Sequence, residues 1–361
     1  MRRTPALIVG GGPAGAATAI GLARARLPHL LVERARETGD ALCGGFLSWR
    51  TLESLERLGI AADTLNPVRV GRVRLFAGSR VREAALPQPG LSVSRRRLDT
   101  VMLAAAVAEG AAVERGVEVR AIDADGTRTA DGATIAADAL FLASGKHDVR
   151  GLARPETARG DDPTLGLRIR LAPHPALARM VGDAVELHLF DRGYAGIALQ
   201  EDGAANLCMA VHRSRLRAAG DPRGLLAELA RAHPALGERI AFADDGARID
   251  AIANVPYGWR ERGGSAGLFR LGDQAGVIPS LAGEGMGIAI ASGIAAAAAY
   301  RDGGAAGAAA WQHGFARRLA RPIGVAGLVR RVMESRFAPL ATGLAGPDLI
   351  QIMAKLTRIA P

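Results

Sequence analysis

The sequence predicts an α/β fold: a domain built from βαβ units, an inserted and mostly antiparallel β-sheet domain, and a helical C-terminal region. Three observations predict it. Residues 6–33 read as strand, glycine turn, helix, strand and acid. Residues 160–262 break into short alternating runs of the kind that form half-buried strands. From Gly304 onward the chain is helix-forming, with Pro322, Pro339 and Pro347 as expected breaks.

The first stretch is the most informative. Ala6-Leu7-Ile8-Val9 is a short apolar run, followed by Gly10-Gly11-Gly12-Pro13-Ala14-Gly15, an Ala-rich segment with helical spacing, and Leu30-Leu31-Val32-Glu33. Gly10, Gly12 and Gly15 fall at G-x-G-x-x-G spacing. In a Rossmann-like unit the first glycine permits the tight turn, the second lets a pyrophosphate approach the backbone, and the third lets helix and strand pack closely. The opening helical amides carry partial positive charge and suit an anion. Glu33, ending the second strand, suits the hydroxyls of an adenosine ribose and would repel a 2′-phosphate, which disfavours NADP at this turn.

Hydrophobic residues make up 49% of the 361, enough for one large domain or two interleaved ones. The formal net charge is +10, yet there are only two lysines, Lys146 and Lys355, and the many arginines are scattered. No basic stripe with interleaved aromatics points to nucleic acid. The charge is compatible with an anionic or carrier-bound substrate, or with peripheral contact at a membrane surface. Two cysteines, Cys43 and Cys208, make no disulfide framework, and the histidines and cysteines show no metal-ligand spacing, so no metal site is expected. The longest apolar run, Met286 to Tyr300, is too short to span a bilayer. With Met1-Arg2-Arg3-Thr4-Pro5 running straight into the first strand, a cytoplasmic location is expected.

Beyond Glu33, a loop contains Ala41-Leu42-Cys43-Gly44-Gly45-Phe46, and a helix is expected from Trp49 to Leu58 with Gly59 as its stop. Hairpin strands are expected over 68–91, a second helix after Arg95 ending at Gly110, one strand over 113–122 and another over 135–143. Further strands are expected over 165–171, 185–190, 194–199 and 206–212, with a helix over 225–232. The chain then returns to the first domain through 267–271. These signals divide it into a nucleotide-binding domain (1–68, 95–160 and 262–300), a substrate domain (69–94 and 161–261) and C-terminal helices (301–361).

A second glycine-rich turn, Gly272-Asp273, follows a strand, and Gly283-Glu284-Gly285-Met286-Gly287 opens a long small-residue helix. Asp273 can accept a hydrogen bond from a sugar-alcohol hydroxyl. The helix opening suits negative charge on a planar ring, worth ~0.3–2 kcal/mol. Arg95 adds a cation where the phosphates would pass.

Together Gly10-x-Gly12-x-x-Gly15 with Glu33, Arg95-x-x-Leu98-Asp99, Ala143-Ser144-Gly145, and Gly272-Asp273 with Pro279 and Gly283-Glu284-Gly285-Met286 resemble the FAD-dependent oxidoreductases of the para-hydroxybenzoate hydroxylase and geranylgeranyl reductase superfamily. The resemblance runs in order through most of residues 1–300. It implies a Rossmann-like FAD-binding domain joined to a β-sheet substrate domain, with the flavin at their junction. It also implies tightly but non-covalently bound FAD contacted by Ala14, Glu33, Cys43, Gly44, Arg95, Val119, Asp273, Gly285 and Met286. Pro13, Arg34, Gly283 and Gly287 complete the expected cofactor-binding set, and Pro279 is expected near the flavin through its backbone.

Cys43-Gly44-Gly45 resembles the Cys-Gly-Gly of the reductase branch, where that cysteine lies close to the flavin. Cys43 is therefore either catalytic or a small residue that allows close approach. The lipid-cavity strand of that branch, Tyr-x-Trp-x-Phe-Pro, is not matched by Tyr194-Ala195-Gly196-Ile197-Ala198, and the Trp-x-Trp-x-Ile-Pro of flavin halogenases is absent. Phe46, Trp49, His188, Tyr194, His212 and Trp259 are the expected substrate-pocket residues, with Tyr257 beside them; for the histidines and aromatics, packing is the competing role.

The expected activity is an FAD-dependent monooxygenase acting on a lipophilic aromatic or polyketide-like molecule. Reduced flavin would form a hydroperoxide in a pocket that excludes water. NAD(P)H or an external reductase would act as transient electron donor, because only one dinucleotide-binding unit is visible. The alternatives are a flavoprotein reducing an isoprenoid or similar C=C bond, and a non-catalytic flavin- or NAD-binding module.

Overall fold

The computed structural model describes residues 2–244 and 246–359. Two sheets organise them. The first has seven strands among the described residues, and its centre is parallel: Arg2–Val9 lies between Leu30–Glu33 and Thr134–Leu142. Ala112–Arg115 extends one side, and Leu268–Arg270 pairs in parallel with Thr134–Leu142 on the other. An antiparallel pair, Val119–Asp123 and Gly126–Thr129, completes it. The central strands read as continuous apolar runs because they are covered on both faces. Ala6, Ile8, Leu31 and Phe141 are fully or almost fully buried on one face, together with Ala16, Ile20 and Leu98 of the helices above.

The helix Pro13–Arg24 packs closely on the long helix Gly285–Gly303, and small residues make this possible. A Cβ on Gly293 would lie only 2.4 Å from the Ala14 carbonyl oxygen. The Ala/Gly bias of both segments is thus a packing device that brings the two glycine-turn regions side by side.

The second sheet has eight strands among the described residues, all antiparallel to their neighbours except where Ala184–Phe190 runs parallel to Val70–Ala77. Its two faces are separated by the period of two along each strand. Leu167, Ile169, Ile197 and Leu207 pack under helices Pro222–Ala232 and Pro234–Ile240. Val73, Leu75, Leu187 and Leu189 face the other way, toward the first sheet and the C-terminal helices.

Several expectations need correction. The stretch 113–122 is two strands, Ala112–Arg115 and Val119–Asp123, broken at Gly116, whose φ of +79° turns the chain. Pro322 does not divide the C-terminal region: it sits buried within the continuous helix Ala308–Met333, in the apolar layer that includes Phe315, Leu319 and Ile323. There the packing offsets the missing backbone bond. Pro339 and Pro347 do stand at helix starts, in Ala338–Leu344 and Pro347–Leu356. The strand Asp250–Val255, at the edge of the second sheet, was not expected from its polar-rich flanks.

Candidate functional site

A cavity of about 1430 Å³ runs between the two sheets and under the C-terminal helices. One end is the first glycine turn. Gly10 has φ of +107°, and a Cβ there would lie 2.5 Å from the Ala143 carbonyl oxygen. On Gly15 a Cβ would lie 1.9 Å from the Gly10 oxygen, so helix and turn pack at a distance only glycine allows. The Glu33 carboxylate accepts the Gly11 amide at 2.7 Å and the Ala35 amide at 2.9 Å, which fixes the acid at the cavity wall.

Some helices that begin elsewhere are capped by side chains: Ser48, Ser94 and Asp221 each accept from an amide of the following turn. Pro13–Arg24 and Gly285–Gly303 start at the cavity without any side-chain cap. Their opening amides are left for another acceptor.

Arg95 stands beside the first turn, its Nη2 3.3 Å from where a Gly12 Cβ would sit. Its guanidinium holds Asp99 through two bonds, of 2.9 and 2.7 Å. Burial works against the charge of Arg95, but the Asp99 carboxylate outweighs it and its pKa is raised, so the cation persists in the cavity wall. On the far side Asp273 lies 3.8 Å from Lys146, which also reaches the Leu42 carbonyl at 3.5 Å.

The structure gathers most of the expected cofactor residues around one cavity: Gly10, Gly12, Pro13, Ala14, Glu33, Arg34, Cys43, Gly44, Arg95, Val119, Asp273, Gly283, Gly285 and Met286 all line it. A channel bounded by uncapped helix starts, a ribose-type acid and a buried arginine fits an elongated dinucleotide with an anionic centre. Gly15 and Gly287 stand behind the wall instead. A Cβ on Gly287 would lie 2.7 Å from both Glu284 and Thr51, which makes it a packing position.

The expected pocket residues divide. Phe46 and Tyr194 line the cavity, and Tyr257 joins them. His188 does not: strand alternation turns it to the opposite face, where its ring stacks on Phe76 at 4.3 Å and its Nε2 meets Glu186 at 3.2 Å. Burial lowers its pKa. His212 is held away from the cavity by Glu334 (3.0 Å), Arg330 (3.1 Å) and Asp162 (3.3 Å). Trp49 is buried in the helix that follows Ser48, below the Arg358 guanidinium. Trp259 lies against Arg154 outside the wall. Pro279 is likewise behind the wall, although Ile278 and Ser280 on either side of it line the cavity.

Cys43 lines the cavity half-exposed, with its carbonyl and that of Gly44 held by the Asn206 amide at 2.9 and 3.0 Å. Cys208 lies in the same wall, its thiol pushed up to about 12 by burial.

Other contributors were not legible in the sequence. Arg168 joins Asp40, Ala41 and Asp250, fastening the loop before Cys43 to the second sheet. Asp40 resists the effect of burial because Arg170 and Arg168 together hold its pKa down. Val329, Val332, Met333, Ile350 and Met353 of the C-terminal helices close the apolar chamber. Their apolar spacing is local to the helices, but the surface it meets is set only by the fold.

Comparison with known proteins agrees with this geometry. Residues 3–148 match the FAD binding domain family. Over 162 residues the chain is 29% identical to menaquinone reductase of Mycolicibacterium smegmatis, a match covering 41% of this chain and 39% of that protein. The match thus spans about two fifths of the curated relative's length. PqsL from Pseudomonas aeruginosa, described as a probable FAD-dependent monooxygenase, superposes with a TM-score of 0.74 at 20% identity, covering 95% of this chain and 100% of PqsL. A geranylgeranyl bacteriochlorophyll reductase-like protein from Thermoplasma acidophilum superposes with a TM-score of 0.69 at 19% identity, covering 99% and 92% of the two chains. At these identities the two structures share the fold with this chain. No described helix is long and apolar enough to cross a membrane.

Proposed function

We propose that this chain, a member of the superfamily of FAD-dependent hydroxylases and geranylgeranyl reductases, is a monooxygenase that acts on a lipophilic, aromatic or polyketide-like small molecule. The observation that carries the proposal is the composition of the cavity. Its cofactor end is lined by glycines, Glu33, Arg95 and Asp273, and its other end by aliphatic side chains under a helical cover.

Bound FAD, once reduced, supplies the activation of O₂. The chain's own residues have separate tasks. The uncapped amides at Pro13–Arg24 and the Arg95 cation would hold the phosphates, and Glu33 the adenosine ribose. Asp273 would take a hydroxyl of the sugar-alcohol chain. The uncapped amides of the helix starting at Gly285 would suit the polar edge of the ring. Leu187, Leu189, Val329 and Met333 hold a lipophilic substrate and keep water out, which protects a reactive oxygen species from discharge. NAD(P)H or a separate reductase would deliver the electrons.

A second reading, reduction of an isoprenoid-like C=C bond, is favoured by Cys43-Gly44-Gly45 at the cavity wall and by the partial similarity to menaquinone reductase. Turnover of a panel of lipophilic phenols and polyenes under ¹⁸O₂, compared with anaerobic turnover, separates the two. Incorporation of one labelled oxygen per product supports oxygenation. Product formed equally well without O₂, and without label, overturns it in favour of the reductase.

A further inference from the structure

The apolar end of the cavity contains one cluster of polar groups that the proposed chemistry does not use. Ser280 meets the hydroxyl of Tyr194 on one side and that of Tyr257 on the other, the second at 2.5 Å. All three side chains line the cavity, and Leu187, Leu189, Leu281 and Met333 surround the tyrosines. Tyr194 is 5% exposed, whereas Ser280 is open.

The three hydroxyls carry three protons. The two oxygen–oxygen contacts consume two of them, and neither phenol has another acceptor among the described residues. One donor is therefore left over. Its position follows from burial: Tyr194, the most enclosed, has only Ser280 to donate to, and an unpaired buried donor is costly. The surplus proton falls to Ser280 or Tyr257, which are more open. Burial raises the pKa of both phenols, so both remain protonated donors. The Arg330 guanidinium, 4.8 Å above the Tyr257 ring, holds that ring in place.

We infer that Tyr194, Ser280 and Tyr257 form a subsite that donates one hydrogen bond to a carbonyl-type oxygen on an otherwise apolar substrate. The inference rests on reading the chamber as the substrate cavity, but not on the outcome of the reaction there. A single surplus donor in an aliphatic wall selects a lipophilic molecule carrying an acceptor oxygen over a hydrocarbon of the same shape.

Two probes of matched shape test it: 2-acetylnaphthalene and 2-isopropenylnaphthalene, titrated into the oxidised FAD-loaded protein and followed by perturbation of the flavin spectrum. The readout is the ratio of their dissociation constants, in wild type, in Tyr257→Phe and in Tyr194→Phe/Tyr257→Phe/Ser280→Ala. Tyr257→Phe leaves Ser280 with the surplus proton and should keep the preference for the ketone, whereas the triple variant loses the donor and should reduce that preference about three- to tenfold. A ratio that stays at the wild-type value in the triple variant, even if both affinities fall together, would assign the hydroxyls to packing and overturn the subsite. Failure of the wild type to bind either probe would overturn the reading of the chamber as a substrate cavity, and the subsite with it.

Discussion

The guanidinium of Arg358 donates to the Glu284 carboxylate at 2.7 Å, joining residues 74 positions apart where both side chains are buried. Glu284 also accepts from the Ser48 hydroxyl at 3.0 Å and from the Ile359 amide at 3.3 Å. This contact fixes the C-terminal segment against the helix that opens at Gly285, immediately beside the proposed flavin ring. The cover of the chamber and the helix opening at Gly285 are thus one assembly.

Arg358→Met leaves the Glu284 carboxylate buried without its cation and should cost about 3–5 kcal/mol in chemical denaturation at neutral pH. The double variant Glu284→Gln/Arg358→Met should cost much less than the two single variants summed. Burial raises the Glu284 pKa, with Arg358 opposing it. A carboxyl whose folded pKa is raised adds stability at low pH that is lost as pH rises, so the deficit of Arg358→Met should grow from pH 5 to pH 8. A deficit independent of pH would contradict this account.

His212 ties the second sheet to the helix Ala308–Met333 and its cap, Glu334. The hydrogen bond that the imidazole donates to the Glu334 carboxylate raises its pKa, against the effects of burial and Arg330. A raised folded pKa gives stability that is complete below the unfolded value of about 6.5 and disappears as pH rises through the folded value. The melting temperature should therefore fall between pH 6 and 8 more steeply in wild type than in His212→Gln. Parallel slopes would show that the contact does not titrate.

Gly15→Ala introduces a Cβ 1.9 Å from the Gly10 oxygen and must push the turn away from the helix. Flavin affinity, measured by equilibrium dialysis, should drop by tenfold or more. An unchanged affinity would mean that the turn does not hold the cofactor.

Leu187→Trp fills the apolar end of the cavity while leaving the glycine turns untouched. It should retain its flavin and bind lipophilic probes about tenfold more weakly. Loss of both together would place substrate and cofactor differently from the arrangement proposed here.

The glycine-turn end of the cavity was legible in the sequence because backbone demands drive it. Gly10 and Gly15 are required by φ and by contact distance, and Glu33 stands at a strand end, all within one local unit. The apolar end was not legible for the opposite reason. Whether His188 or Leu187 faces the chamber depends on strand register, and the two differ by a single position. Trp49 and Trp259 are large enough to line a pocket but pack behind it, against Arg358 and Arg154. Ser280 and Arg168 act through partners 86 and 128 residues away, Tyr194 and Asp40, and such pairings leave no local trace.

Release of flavin from the purified protein tests the central claim most directly. The account predicts a yellow protein that yields one FAD per chain on denaturation and takes it up again from solution. A colourless protein that takes up no FAD from an excess would contradict it.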